Sequence, residues 1–212
     1  RGADETWRPM LGLMQRAWGV DTQRRLPPHA LPVSTEAADL HLARLTAGRG
    51  VSCSSLGRLF DAVAGLLGVA SANRHEAEAA MALEAHALTG QSLPRPAPVV
   101  REEGGRLLLD PLPLVLALHE AASRGAAVAD LARTFHDSVV ELLVAGASAA
   151  ASASGLRRVV LGGGCFANRL LRAGVVEGLH RAGLEVFTPR TVPPGDGGLA
   201  LGQALVAGRA DG

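Results

Sequence analysis

The run VVLGGGCFANRLL, residues 159–171, constrains the fold more than any other stretch of this chain. A β-branched apolar segment meets three consecutive glycines and passes at once into an apolar pattern of helical period. RRVVL (157–161) reads as a buried strand and Phe166–Ala182 as the helix that follows it. LEVF (184–187) reads as a second strand, Thr188–Gly198 as a Pro/Gly loop, and Leu199–Val206 as a closing helix. Strand, helix, strand, helix in this order predicts a right-handed parallel α/β unit. In such a unit the carboxyl end of a strand and the amino end of the next helix meet at the ligand-binding edge, where free N–H groups can hold an anion. Gly162, Gly163 and Gly164 let that backbone approach a phosphate with no Cβ in the way. The chain has neither a G-x-x-x-x-G-K-[ST] loop nor a full G-x-G-x-x-G with its acidic partner. By itself, then, the run leaves a plain tight turn and a phosphate cradle both open. Asn168, just after the glycines, is either a solvated helix residue or an amide facing a ribose or base.

Upstream the grammar is helical. Apolar spacing predicts helices over Thr6–Trp18, Ser34–Thr46, Leu56–Leu67, His75–Leu88, Leu112–Ser123 and Val128–Ala151, with Asp21–Pro32 as a loop. Ser54 or Ser55 is placed to cap the third of these and Gly68 to end it. Pro94, Pro96 and Pro98 close the helical stretch, and VVREEGGRLLLD (99–110) carries a hairpin signal around its two glycines. The chain divides on this basis into a helical part, 1–98, and an α/β lobe, 99–212, within one continuous domain.

Composition narrows the function classes. Of 212 residues 48% are hydrophobic, and 21 Lys and Arg against 20 Asp and Glu leave a formal charge of +1. No basic stripe points to nucleic acid and no acidic tail to a solvating segment. Two cysteines, Cys53 and Cys165, are too few for a disulfide framework, which fits a reducing cytoplasm. The Ala-rich stretch from Val139 to Ser154 is broken by Glu141 and Gly146 and reads as a buried or half-buried helix rather than a membrane span. The opening RGADETWRP lacks both a signal pattern and a methionine, so the chain is expected to be cut from something longer.

Two aspartates stand among glycines. In PPGDGGLALGQALVA (193–207) two prolines stiffen the approach to Asp196, and a helix begins directly after it. As structure Asp196 is an N-cap. As chemistry it is a carboxylate for a hard cation such as Mg²⁺, which takes one or two carboxylates plus substrate oxygens. Gly198 and Gly202 share one helix face there, suiting close approach of backbone or ligand. On GRLFDAVAGLLG, Gly57, Asp61 and Gly65 form a lane at i, i+4, i+8, away from the Leu and Phe face. Asp61 reads either as a surface partner of Arg58 or as a carboxylate whose bare flanks admit a ligand.

Taken together, SSLGRLFDAVAGLLG, RHEAEAAMALEAHAL, VVLGGGCFANRLL and VPPGDGGLALGQALVA resemble the carbamoyltransferase domain of the hydrogenase-maturation HypF-type proteins. That domain is similar to the tRNA threonylcarbamoyladenosine transferases and belongs to the actin-like ATPase superfamily. The resemblance implies an α/β actin-like (ribonuclease H-like) lobe with a large helical subdomain, part of a bilobal domain whose N-terminal half lies outside this chain. It implies ATP or carbamoyl-adenylate, the latter made by an adenylate-forming domain, bound with a divalent metal. The carbamoyl group would pass to the C-terminal cysteine of a partner maturation protein, on the way to the cyanide ligand of nickel–iron hydrogenase. By similarity Asp196 would ligate the metal, Gly163 and Gly164 would contact phosphate, Asn168 the nucleotide, and Asp61 with Glu76 the ribose or base.

Two departures stand out. The family reads Tyr-Glu-Gly-Gln-Ala where this chain has His75-Glu76-Ala77-Glu78-Ala79, and its metal site uses a His-x-x-x-His pair. His29, His41, His75, His86, His119, His136 and His180 never stand four apart. A tRNA-directed transferase and a catalytically silent nucleotide-binding scaffold therefore remain as alternatives. Cys165 is expected to be a buried structural thiol and His136 a core or interface histidine.

Overall fold

The structure, a computed structural model, describes residues 4–210 and divides the chain into two compact units. The first takes in the chain up to Ala97 together with Asp110–Ser138; the second takes in Pro98–Leu109 and the chain from Val139 onward.

The first unit is helical. Helix α1 (Trp7–Trp18) buries Trp7, Met10, Leu11 and Met14, the face its apolar spacing marks. Between Gly19 and Ala30, where the sequence predicts only loop, the chain winds through two 3₁₀ turns and the four-residue helix α2 (Thr22–Arg25). The Thr22 hydroxyl, fully buried, donates to the Gly19 carbonyl at 2.7 Å and so supplies a local bond that periodicity cannot reveal. Helix α3 (Thr35–Thr46) is capped by Ser34. Helix α4 (Leu56–Leu66) is capped by Ser55, whose Oγ accepts from the Arg58 N–H, and packs on α1.

Gly65 shows why those two helices approach so closely: a Cβ there would lie 3.1 Å from Thr6 Oγ1 and 3.3 Å from the Thr6 carbonyl. The bare patch beside Asp61 on that side is thus filled by the chain itself and not by a ligand. Phe60 of α4 meets Phe135 and His136 edge-on at 4.8 and 5.4 Å, closing the core.

Helix α5 covers Glu78–Ala87, three residues shorter at its start than the expected His75–Leu88. Ala77 ahead of it is left-handed, with φ 59°, and Asn73 Oδ1 accepts from the Ala79 N–H at 2.8 Å. That long-reaching cap replaces the first helical turn. Helix α6 (Leu112–Ser123) and the long α7 (Val128–Ser154) complete the helices before the strands; α7 gives Val128–Ser138 to the first unit and Val139–Ser154 to the second.

In the second unit β1 (Val99–Glu103) and β2 (Arg106–Asp110) are joined by Gly104 and Gly105, whose φ of 58° and 73° suits the tight two-residue hairpin turn. Strands β3 (Arg158–Val160) and β4 (Glu185–Phe187) pair in parallel, Val159 opposite Val186, with α8 (Arg169–Arg181) between them in sequence. Helix α8 starts three residues later than expected because Gly164–Ala167 forms a 3₁₀ turn. It lies against α7 through Gly174 and Gly178, whose Cβ atoms would stand 2.7 and 2.6 Å from Val140 and Val144 methyls.

The expected buried strand is buried on one side only. Leu161 and Leu184 are covered, whereas Val160 is 74% and Phe187 44% exposed, because the pleat turns alternate residues away from α8. The chain ends in helix α9 (Leu199–Ala210), exposed from Leu199 to Arg209. No helix of the described residues is long and apolar enough to cross a membrane.

Candidate functional site

The glycine run and the Asp196 loop meet. Gly163 has φ 98°, which glycine alone adopts without strain, and its N–H donates to the Pro194 carbonyl at 2.5 Å. Its carbonyl accepts from Phe166, starting the 3₁₀ turn that ends where Asn168 caps α8. Gly163 therefore shapes the loop and spends its donor internally. Gly164 opens the turn, at a position where a backbone N–H has no partner within the turn.

The space around this turn is informative. A Cβ added at Gly162, Gly163 or Gly164 would meet nothing within 4 Å. Packing therefore does not explain the three glycines; at 162 and 164 no backbone twist does either. A strand-to-helix switch without side chains is backbone that a phosphate can approach.

Asn168 is buried, and its Oδ1 accepts from the Leu171 N–H at 2.9 Å. It fixes the start of α8 with the oxygen of the amide that the sequence assigns to nucleotide. Asp196 is exposed, in the first turn of the 3₁₀ segment Asp196–Gly198, whose N-cap position is taken by Gly195. Its carboxylate is thus not occupied by the structural role open to it in the sequence.

Among the described residues no group of three or more His, Cys, Asp or Glu is gathered to hold an ion. A closed protein metal cage does not fit this chain. One exposed carboxylate fits a hard cation that already rests on phosphate oxygens and water. Gly198 packs on backbone, as expected, with a Cβ position 2.9 Å from the Pro193 carbonyl; Gly202 faces open space. A shallow apolar groove lined by Pro193, Gly195, Leu199 and Val206 includes neither Gly162–Gly164 nor Asp196, and offers phosphate no charged partner.

Asp61 and Glu76 belong to the first unit. Asp61 is 3% exposed, not a surface aspartate. Asn73 Nδ2 donates to its Oδ1 at 2.9 Å, and Arg58 Nη1 lies 2.9 Å from Oδ2 as an ion pair. That pair is poorly aligned, and Oδ2 accepts no directed hydrogen bond although it is buried. Sequence reasoning missed Asn73, whose side chain joins Asp61 to the start of α5; no periodic signal marks it. Glu76 lies exposed in the turn before α5, not in the helix. Its neighbour Glu78 carries the strong interaction there: the Arg74 guanidinium hydrogen-bonds it and holds its carboxyl down at about 2.

Cys165 is half-buried rather than buried, and Cys53 is exposed. His136 is a core residue, its Nδ1 2.7 Å from the Ala132 carbonyl, and burial pushes its pKa down. Pro194 and Gly195, which tie the two loops, also went unassigned; the doubled proline before a glycine was their signal.

A helix-rich α/β chain with a parallel strand pair and a glycine turn clasped to a second loop has the fold of a Kae1-like domain. The family model described as carbamoyltransferase, Kae1-like domain, second subdomain matches residues 1–203, and the chain belongs to that family. A carbamoyltransferase HypF homolog of Cupriavidus necator is 45% identical over 161 residues, 74% of this chain and 41% of that protein. A full-length HypF crystal structure, in the phosphate- and nucleotide-bound form, superimposes with a TM-score of 0.85 at 29% identity, over 98% of this chain and 32% of that one. A tRNA N6-adenosine threonylcarbamoyltransferase of Sorangium cellulosum is 33% identical over 162 residues, 73% of this chain and 45% of that protein. The chain thus spans less than half the length of each of these relatives. The α/β fold expected from the sequence, and the resemblance it rested on, are both borne out.

Proposed function

We propose that this chain supplies the nucleotide-holding wall of a carbamoyl-transfer site, with Gly164 donating to a phosphate and Asp196 to the accompanying divalent metal. The single observation that carries the reading is the hydrogen bond from Gly163 N–H to the Pro194 carbonyl, which holds the Asp196 loop beside a glycine turn whose Cβ positions meet no protein atom. The solved relative described as phosphate- and nucleotide-bound supports it. In this reading ATP or carbamoyl-adenylate lies across the turn, and the metal sits on its phosphate oxygens rather than in a protein cage. Asp61 and Glu76 are proposed ribose or base contacts, Asn168 a nucleotide contact, and Gly163 the shape of the turn.

As the family resemblance implies, the whole reaction would be transfer of carbamoyl to the C-terminal cysteine of a maturation protein for nickel–iron hydrogenase, in the cytoplasm, using adenylate made by an adenylate-forming domain. In this reading the chain's own residues supply binding and alignment, with no group of three or more metal-ligating side chains among the described residues.

Titration of the chain with ATP and Mg²⁺ tests the reading: saturable binding that Asp196→Ala weakens by about tenfold or more supports it, a loss of ~1.4 kcal/mol. No binding at millimolar nucleotide would leave the silent-scaffold reading in its place. The similarity to a tRNA threonylcarbamoyltransferase favours a second reading, tested by retention of tRNA; a formal charge of +1 speaks against it.

A further inference from the structure

We infer that Gly195 is a positioning residue that sets the spacing between the Gly164 N–H and the Asp196 carboxylate. This rests on the nucleotide-and-metal reading above. Gly195 lies back to back with the glycine run: a Cβ there would stand 3.2 Å from Gly164 Cα and 3.5 Å from Gly164 N. The atoms it would press on are backbone, so no rotamer change relieves the contact.

The neighbouring geometry removes the other escape. Gly163 N–H is bonded to the Pro194 carbonyl, and Gly198 N–H to the Gly195 carbonyl at 3.0 Å. A Cβ at Gly198 would already lie 2.8 Å from Val192 Cγ1 and 2.9 Å from the Pro193 oxygen, so the loop is folded tightly on itself. Pro193 and Pro194 hold its approach stiff. The two loops are in consequence one rigid piece, clasped by a hydrogen bond and seated by the missing side chain of residue 195.

Gly195 has φ −104° and ψ −154°, so alanine there does not require left-handed backbone. Its methyl group must instead move Gly164 toward its open side or move Asp196 away. Either motion changes the spacing on which a phosphate-bound cation depends, because Mg²⁺ tolerates little departure from its preferred octahedral geometry. Metal and nucleotide are coupled ligands in this arrangement, and the coupling passes through Gly195.

The test measures ATP affinity of the chain by calorimetry with Mg²⁺ and with EDTA, in wild type, Gly195→Ala and Gly202→Ala. Gly202 is the control, a glycine whose Cβ meets nothing. Mg²⁺ is expected to strengthen ATP binding by about tenfold in wild type and Gly202→Ala, and by less than about threefold in Gly195→Ala. Pro194→Ala, which keeps the carbonyl but frees the approach, is expected to fall between.

A second readout needs no ligand. Cys165, next to Gly164 and half-buried, reports on the loop, and exposed Cys53 is an internal reference. The ratio of Cys165 to Cys53 alkylation by iodoacetamide should rise in Gly195→Ala while the circular dichroism spectrum stays unchanged. A wild-type alkylation ratio together with a wild-type Mg²⁺ enhancement in Gly195→Ala would overturn the inference and leave the nucleotide reading standing. Absence of ATP binding in the wild type would overturn both.

Discussion

Asn73 Nδ2 donates to Asp61 Oδ1 at 2.9 Å, while the same side chain's Oδ1 accepts from the Ala79 N–H at 2.8 Å. One amide thus ties a buried carboxylate in α4 to the first turn of α5. Removing either partner strands a desolvated polar group, which costs about 1–3 kcal/mol. Asp61→Ala and Asn73→Ala should each lower stability by that amount with no nucleotide present, and the double variant should lose less than the sum. Urea unfolding followed by tryptophan fluorescence reads this directly, since Trp7 and Trp18 both lie in the first unit. A loss below about 0.5 kcal/mol in both single variants would contradict the structural role.

Ala77 is the only described non-glycine residue with positive φ, 59°. Left-handed backbone costs a residue with a Cβ roughly 1–2 kcal/mol. Ala77→Gly should raise the stability of the first unit by about 1 kcal/mol, less whatever entropy the unfolded chain gains. The urea midpoint of the variant checks it; an unchanged or lower midpoint counts against the left-handed turn.

Gly174 and Gly178 let α8 lie directly on Val140 and Val144 of α7. Valine is stiff at χ1, so a methyl at residue 174 cannot be sidestepped cheaply. Gly174→Ala should destabilise the second unit by about 1–3 kcal/mol, and Val140→Ala in that background should restore part of the loss. Hydrogen exchange of the α8 amides provides the readout. Simple additivity of the two changes would show that the helices do not meet there.

Burial holds the pKa of His136 below its usual value, and burial also lowers those of His41 and His119. In the folded chain these rings stay neutral where the unfolded chain would protonate them. The unfolded state then binds more protons, so stability is full above about pH 6.5 and falls as the pH drops below it, by no more than ~1.4 kcal/mol per pH unit for each ring. Urea midpoints at descending pH should show this, with a shallower slope in His136→Gln. A midpoint that rises on acidification would reverse the sign and refute the assignment.

The legible parts of the fold were those carried by local pattern. The apolar face of α1, the Ser55 cap of α4, the Gly104–Gly105 hairpin and the parallel pairing of β3 with β4 all follow from residues close in sequence. What sequence could not show was contact between distant residues. The glycine beside Asp61 looked like room for a ligand, but Thr6 fills it. Asp61 reads as a surface residue from its helical spacing, but the fold leaves it 3% exposed. The starts of α5 and α8 differ from expectation because Asn73, ahead of the expected helix, bonds into the first turn of α5, and Asn168, inside the expected helix, caps α8. At the candidate site the glycine run and Asp196 were legible as separate motifs; the clasp between them, through Pro194 and Gly195, was not.

The most direct test of the account is ATP binding by Gly164→Ala in the presence of Mg²⁺. The added methyl meets no protein atom within 4 Å, so stability should stay within about 0.5 kcal/mol of wild type. It would occupy the space reserved for phosphate, and affinity should fall by about tenfold or more, ~1.4 kcal/mol. If the variant binds ATP as the wild type does, the glycine run is a turn and not a cradle.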